Sequence, residues 1–183
     1  YYNYEYAYGQ SISTGVDPYA NAVGLNGKKG YICNLSDLDP KGWDDSKYVK
    51  LDRYTDAVLY EVHVRDFSSD QSSGIKNEYR GKFKAFCVDC SHTPSGRGTC
   101  LAHLKELGVT HVQLMPVFDY DRLDEENPSN AYNWGYDPEN YNAPEGSYST
   151  RPEEPESRIR ELKELVLSLH RNNIGVIMDV VYN

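Results

Sequence analysis

Apolar positions along the chain switch between two spacings. Ala57-Val58-Leu59-Tyr60-Glu61-Val62-His63-Val64 is a nearly continuous run of strand-forming residues, the pattern of a β-strand buried on both faces. Leu101, Leu104 and Leu107 then recur every three residues, which predicts a short helix over about 99–107 stopped by Gly108. Thr110 to Val117, with Val112 and Leu114, repeats the buried-strand pattern. Ile159, Leu162, Leu165, Val166 and Leu169 form one stripe at helical spacing. That helix is expected to begin near Pro155, where Glu153, Glu154 and Glu156 suit the positive end of a helix dipole. It should end at Arg171 and the two asparagines that follow, before a third buried strand over Gly175-Val176-Ile177-Met178-Asp179-Val180-Val181.

The order strand, helix, strand, helix, strand predicts right-handed βαβ units with parallel strands. An open doubly wound sheet and a (β/α)8 barrel both satisfy it. No G-x-G-x-x-G or phosphate-loop sequence follows any of these strands, so nucleotide binding gains no support. Residues 119–150 carry Pro, Asn, Gly and Tyr throughout and are expected to form one long functional loop. Its place at the carboxyl end of the second strand favours the barrel, whose active sites are built there. A complete barrel takes about 250 residues, so this reading makes the chain a part of a larger domain.

Residues 1–50 have another character. Tyr alternates with smaller residues over 1–10, predicting a strand. Asn26-Gly27 is a tight-turn dipeptide, Tyr31-Ile32-Cys33 reads as a short strand, and Asp39-Pro40-Lys41-Gly42-Trp43 as a linker. This stretch has too little apolar mass for its own core and is expected to be the end of a β-rich module, with the α/β part occupying 51–183.

Composition removes several classes of function. A net charge of −9 opposes a nucleic-acid partner, which needs clustered Lys and Arg. No apolar tract is long enough for a transmembrane helix. Seventeen Tyr stand against four Phe and two Trp. Such rings can lie on a sugar face while the hydroxyl finds a hydrogen bond, or simply fill half-buried strand positions. Cys87 and Cys90 form a C-x-x-C with no second pair, so Cys33, Cys87, Cys90 and Cys100 are read as free thiols rather than zinc ligands. The opening YYNYEYAYG is no signal peptide, and the compartment is left open with the cytoplasm favoured over secretion.

More specific words lie in the long loop and at the last strand. Tyr132-Asn133-Trp134-Gly135-Tyr136-Asp137-Pro138 resembles the YNWGYDP signature of type I pullulanases, debranching glycoside hydrolases of the α-amylase clan. Asn142-Ala143-Pro144-Glu145-Gly146-Ser147-Tyr148-Ser149 resembles the segment that follows it there. Asp179-Val180-Val181-Tyr182-Asn183 is similar to the start of the clan's first shared region, D-V-V-x-N-H, and Tyr60 to Phe67 to the family's first barrel strand. Asp17-Pro18-Tyr19-Ala20 with Asn26-Gly27 resembles the end of the carbohydrate-binding β-sandwich that precedes the barrel.

The resemblance implies an α/β fold: the first three strands and two helices of a (β/α)8 barrel, preceded by the tail of a β-sandwich module. It implies hydrolysis of α-1,6 branch linkages in pullulan, amylopectin or related α-glucans by the intact enzyme. Tyr136 would stack beneath a sugar ring, Asp137 would accept hydrogen bonds from its hydroxyls, and Trp134 would shape the pocket wall. An Asp-Pro turn before Pro138 is the structural alternative for Tyr136 and Asp137. Asp179 and Asn183 would support the active site. No cofactor is implied, although Asn183 stands where many clan members place a calcium ligand. His63 and Arg65 are expected to serve structure.

In this family the nucleophile and the acid/base follow later strands, so no catalytic residue is assigned within 1–183, and the piece alone is expected to be inactive. An isoamylase or branching enzyme of the same clan, or a non-catalytic glucan-binding remnant, are the alternatives.

Overall fold

In the computed structural model, which describes residues 1–128 and 131–182, the tyrosine-rich start folds back on itself. Strand β1 (Tyr4–Tyr8) pairs antiparallel with β2 (Ser11–Gly15), Tyr4 opposite Gly15 and Tyr8 opposite Ser11. Gly9, at φ 61°, supplies a left-handed residue to the turn. All of β1 is exposed, so this ribbon builds no core. Tyr31-Ile32-Cys33 is not a strand. No extended segment lies alongside it to complete a ladder: only isolated bridges join Gly30 to Tyr2 and Val23, and Ile32 points to solvent. The few apolar residues here pack against later parts of the chain instead, Ala20 and Val23 on Ala143, Ala22 and Leu38 on Ile159.

The core is organised by three parallel strands, β3 (Leu59–Val62), β6 (His111–Leu114) and β9 (Gly175–Met178), in the order β3-β6-β9. Between β3 and β6 lie the two-residue strands β4 (Ser91–His92) and β5 (Gly98–Thr99), paired antiparallel, and helix α1 (Cys100–Leu107). Gly108 ends α1 as expected: at φ 71° its N–H reaches back to the carbonyls of Leu104 and Lys105. Helix α2 (Pro155–Arg171) follows the predicted bounds, with Pro155 in its first turn and Asn172 at its C-cap. No helix among the described residues is long and apolar enough to cross a membrane.

Side chains alternate across the sheet. Tyr60, Val62, Val112, Leu114 and Val176 meet Leu101 and Leu104 of α1, Leu165 and Leu169 of α2, and Phe83 and Phe86 in the main core. Leu165 and Leu169 have no exposed surface, and truncating either to Ala would cost about 2–5 kcal/mol. The opposite face carries Leu59, Glu61, His111, Gln113 and Ile177. There Leu59 is 54% exposed, and Gln113 Nε2 donates to Glu61 Oε1 at 3.3 Å. The expectation of strands buried on both faces is corrected here, because both helices pack on one side of the sheet. Strands in consecutive order with both helices on one face are the arrangement that opens a (β/α)8 barrel, and one half of a doubly wound sheet shares it.

Residues 119–150 are not one loop. Strand β7 (Phe118–Tyr120) pairs antiparallel with β8 (Pro138–Pro144), with register shifts on both sides of Asp119. Proline at each end and three polar residues between disguise β8 as a loop, and proline is tolerated on such an edge strand. Side chains hold it: Asn140 Nδ2 donates to Asp119 Oδ2 (2.6 Å), Asn142 Nδ2 to the Pro18 carbonyl (3.0 Å), and Ala143 is fully buried.

Candidate functional site

The β7–β8 pair rests on a buried ionic hub that no motif announced. Arg158, in the first turns of α2, has no exposed surface. Its Nη1 donates to Asp119 Oδ1 (3.0 Å) and Glu125 Oε1 (2.9 Å), its Nη2 to Glu125 Oε2 (2.7 Å) and to the Pro152 carbonyl (3.2 Å). Glu145, also fully buried, accepts from the backbone N–H of Tyr120 (3.1 Å) and Ser147 (2.7 Å). The Asn26-Gly27 turn plugs into the same hub: Asn26 N donates to Glu125 Oε2 (2.7 Å), and the Gly27 carbonyl accepts from Asn140 Nδ2 (3.2 Å).

Asp119, Glu125 and Glu145 place one oxygen each within 4.8 Å of one another, a spacing that could hold a metal ion. The cation between Asp119 and Glu125 is the Arg158 guanidinium, so we assign no metal here. With Glu145 close by, three carboxylates near one guanidinium leave negative charge in excess. Burial, and then repulsion from Glu145, pushes Asp119 up to about 8; burial, and then Glu125, pushes Glu145 up to about 7.

From this base the signature segment is carried to the carboxyl ends of the parallel strands. Arg65 Nη1 donates to the Ala131 carbonyl (2.8 Å), and its guanidinium lies 5.5 Å from the Tyr132 ring centre. Tyr132 donates to Asp66 Oδ2 (2.7 Å). His63, 6% exposed, has Nε2 3.0 Å from both the Asn133 carbonyl and the Tyr148 hydroxyl. Gly135 adopts φ 88°, and a Cβ there would lie 2.7 Å from the Pro116 carbonyl, so glycine is required for this close approach. His63 and Arg65 thus serve structure by holding the signature segment from below.

At the end of that segment Tyr136 Oη donates to Asp179 Oδ2 (2.8 Å), just past β9. Tyr136 is 40% exposed, and its phenol is pushed up to about 12, chiefly by the hydrogen bond to Asp179. Asp137 Oδ2 stands 3.9 Å from Arg122 Nε, while its buried Oδ1 has no hydrogen-bond partner among the described residues. Trp134 is 57% exposed and edge-on to Tyr132, ring centres 5.4 Å apart. Of the residues singled out in the sequence, Tyr136 and Asp179 are in direct contact, Asp137 and Trp134 flank them, and Asn183 lies outside the described residues.

Missed in the sequence were Asp119, Glu125, Glu145 and Arg158. One signal was available: Arg158 sits on the apolar stripe of α2, four and seven residues before Leu162 and Leu165. A charge on a buried stripe has to be paired.

A one-sided parallel sheet with polar side chains gathered beyond its strand ends defines the class: an α/β fold with its candidate site at the carboxyl ends of the strands. Comparison with known proteins makes this specific. The family model described as "Alpha amylase, catalytic domain" matches residues 95–183. A pullulanase of Bacillus subtilis is 45% identical over 168 residues, covering 92% of this chain and 23% of the relative. Isoamylase 3 of rice chloroplasts is 36% identical over 152 residues, 80% of this chain and 18% of the relative. Among solved structures, a Paenibacillus barengoltzii pullulanase complexed with maltohexaose and α-cyclodextrin superposes with TM-score 0.95 at 48% identity. That match covers 99% of this chain and 28% of that one. The resemblance to type I pullulanases of the α-amylase clan is thereby shown, and with it the partial (β/α)8 barrel; the chain spans about a quarter of the length of these two pullulanases.

Proposed function

We propose that this stretch forms one wall of a debranching site in a longer retaining glycoside hydrolase that cleaves α-1,6-glucosidic branch linkages in pullulan, amylopectin or related α-glucans. The observation that carries this reading is the 2.8 Å hydrogen bond from Tyr136 to Asp179. It fixes a half-exposed aromatic ring beside a carboxylate at the carboxyl end of a barrel strand, where barrel enzymes do their chemistry. Held by its own hydroxyl, the ring presents a rigid face for a sugar at little entropic cost. Asp137 takes the sugar's hydroxyls through Oδ2, the oxygen on the side of Arg122, and Trp134 forms the adjoining wall. Asp179 positions Tyr136 rather than attacking the substrate. Residues 1–50 are the end of a carbohydrate-binding module, joined to the barrel through the Asn26-Gly27 turn.

A retaining glycosidase needs two carboxyl groups about 5–5.5 Å apart in the roles of nucleophile and acid/base. No pair within this stretch is assigned those roles, so the chain alone should release no maltotriose from pullulan. The test is maltohexaose binding by the chain, followed by intrinsic fluorescence. Tyr136→Ala should weaken binding at least tenfold, and unchanged affinity would overturn the reading. An isoamylase-type specificity shares the same geometry and is the second reading, with its rice relative 36% identical against 45% for the Bacillus subtilis pullulanase; preference for glycogen over pullulan in the longer enzyme would select it.

A further inference from the structure

Behind the signature segment, on the far side of His63, lies a pocket of about 290 Å³ lined by Arg65, Arg80 and Lys82. In a chain of net charge −9 this is an unusual gathering, because no carboxylate lines it. None of the three cations has an acidic partner within ion-pair distance among the described residues. Their protein contacts are all neutral acceptors: Arg65 on the Ala131 carbonyl, Arg80 Nε on the Ile75 carbonyl (2.9 Å), Lys82 Nζ on the Ser147 carbonyl (2.7 Å). Arg80 Nη1 also reaches Asn77 Oδ1 at 3.4 Å. Each guanidinium has five N–H donors and the ammonium three, so most of them are unused by the protein. Asn77 and Ser69 add polar groups at the rim.

We propose that this pocket binds a small oxyanion, a phosphoryl group held by Arg65, Arg80 and Lys82. Two planar forks and one ammonium suit an acceptor with three or more oxygens, and charge-assisted bonds to such a group are about twice as strong as neutral ones. The volume is at the small end of ligand sites, which run from about 300 Å³ upward, and it suits an ion or a monosaccharide ester rather than a glucan chain. Negative groups do act on the edges of the site: Asp70 on Arg80, and Glu161, Glu145 and Glu125 on Lys82. They stand outside the lining. Burial nevertheless dominates at Lys82 and lowers its pKa.

The test is titration of the chain with inorganic phosphate and, separately, with glucose 6-phosphate, followed by 31P NMR and calorimetry at low ionic strength. One saturable site is expected, weakened at least tenfold by Arg80→Gln and by Lys82→Met, and unchanged by Arg97→Gln, an exposed arginine outside the pocket. Tighter binding of the ester identifies a sugar phosphate as the ligand; equal binding identifies the free ion. Arg80→Gln keeps the test decisive if Lys82→Met misfolds. Absence of saturation, or equal weakening by Arg97→Gln, would overturn the proposal.

Discussion

Two groups of carboxylates flank the β7–β8 pair and differ in almost every physical respect. Asp137 and Asp179 lie in the signature region, partly exposed, one near Arg122 and the other accepting from Tyr136. Asp119, Glu125 and Glu145 lie inside, 3% exposed or less, the first two paired with Arg158. The outer pair carries the motif and the candidate chemistry. The inner trio carries the load, tying the turn at 26–27, the segment at 118–148 and α2 to one another. A candidate site open to water is thus built on a charge cluster sealed from it.

The difference is broken most severely at Arg158. Arg158→Met leaves buried carboxylates without their cation, and removing one partner of such a group costs about 3–5 kcal/mol. Urea unfolding should register that loss, whereas Tyr136→Ala should cost about 1 kcal/mol, one exposed hydrogen bond. Equal losses would mean that the hub is not the foundation of the site. Next in size is Gly27→Ala. Its Cβ would lie 2.3 Å from Asp119 Oδ2, and the residue sits at φ 64°. Strain and displacement together should cost about 2–3 kcal/mol. Gly96→Ala, at φ 84° with open space around it, isolates the backbone part and should cost about 1 kcal/mol.

Acidity sharpens the contrast further. With Asp119 held up to about 8 and Glu145 up to about 7, the folded chain keeps protons that the unfolded chain releases above about 4. Stability from these groups is full at low pH and is lost as pH rises toward 8. The urea midpoint should therefore fall between pH 6 and pH 8.5. Glu145→Gln, which keeps the volume and removes one titrating group, should flatten that slope. A midpoint rising with pH would show the trio fully ionised.

Both helices could be read from the sequence, because the Leu101-Leu104 and Ile159-to-Leu169 spacings and the stop at Gly108 are local signals that the packing respects. The parallel strands were legible as apolar runs, but not their exposure: which face is covered depends on where the helices pack. Strand β8 and the hub were illegible for one shared reason. Asn140, Glu145 and Arg158 look like surface residues until partners 21 or more positions away are placed beside them. The outer site was legible only because its residues stand side by side in the chain, Trp134 through Asp137. Even so, the contact with Asp179, 43 positions on, had to come from the fold.

The smallest expected effect tests that contact directly. Tyr136 donates its proton to a carboxylate, so ionising the phenol would place two negative oxygens 2.8 Å apart. That is why its pKa is pushed up to about 12 from an ordinary value near 10. Absorbance at 295 nm, compared between the parent and Tyr136→Phe, isolates this phenol from the other tyrosines. Asp179→Asn removes the negative charge while preserving an acceptor oxygen, and should return the Tyr136 titration toward 10 with little loss of stability. The ring would remain in place but with a weaker tether, so affinity for maltohexaose should fall about two- to fivefold rather than vanish, the energy of a fraction of one hydrogen bond. A titration unmoved by Asp179→Asn would mean that the two side chains do not meet in solution, and the wall of the outer site would then have to be held by Trp134 and Asp137 alone.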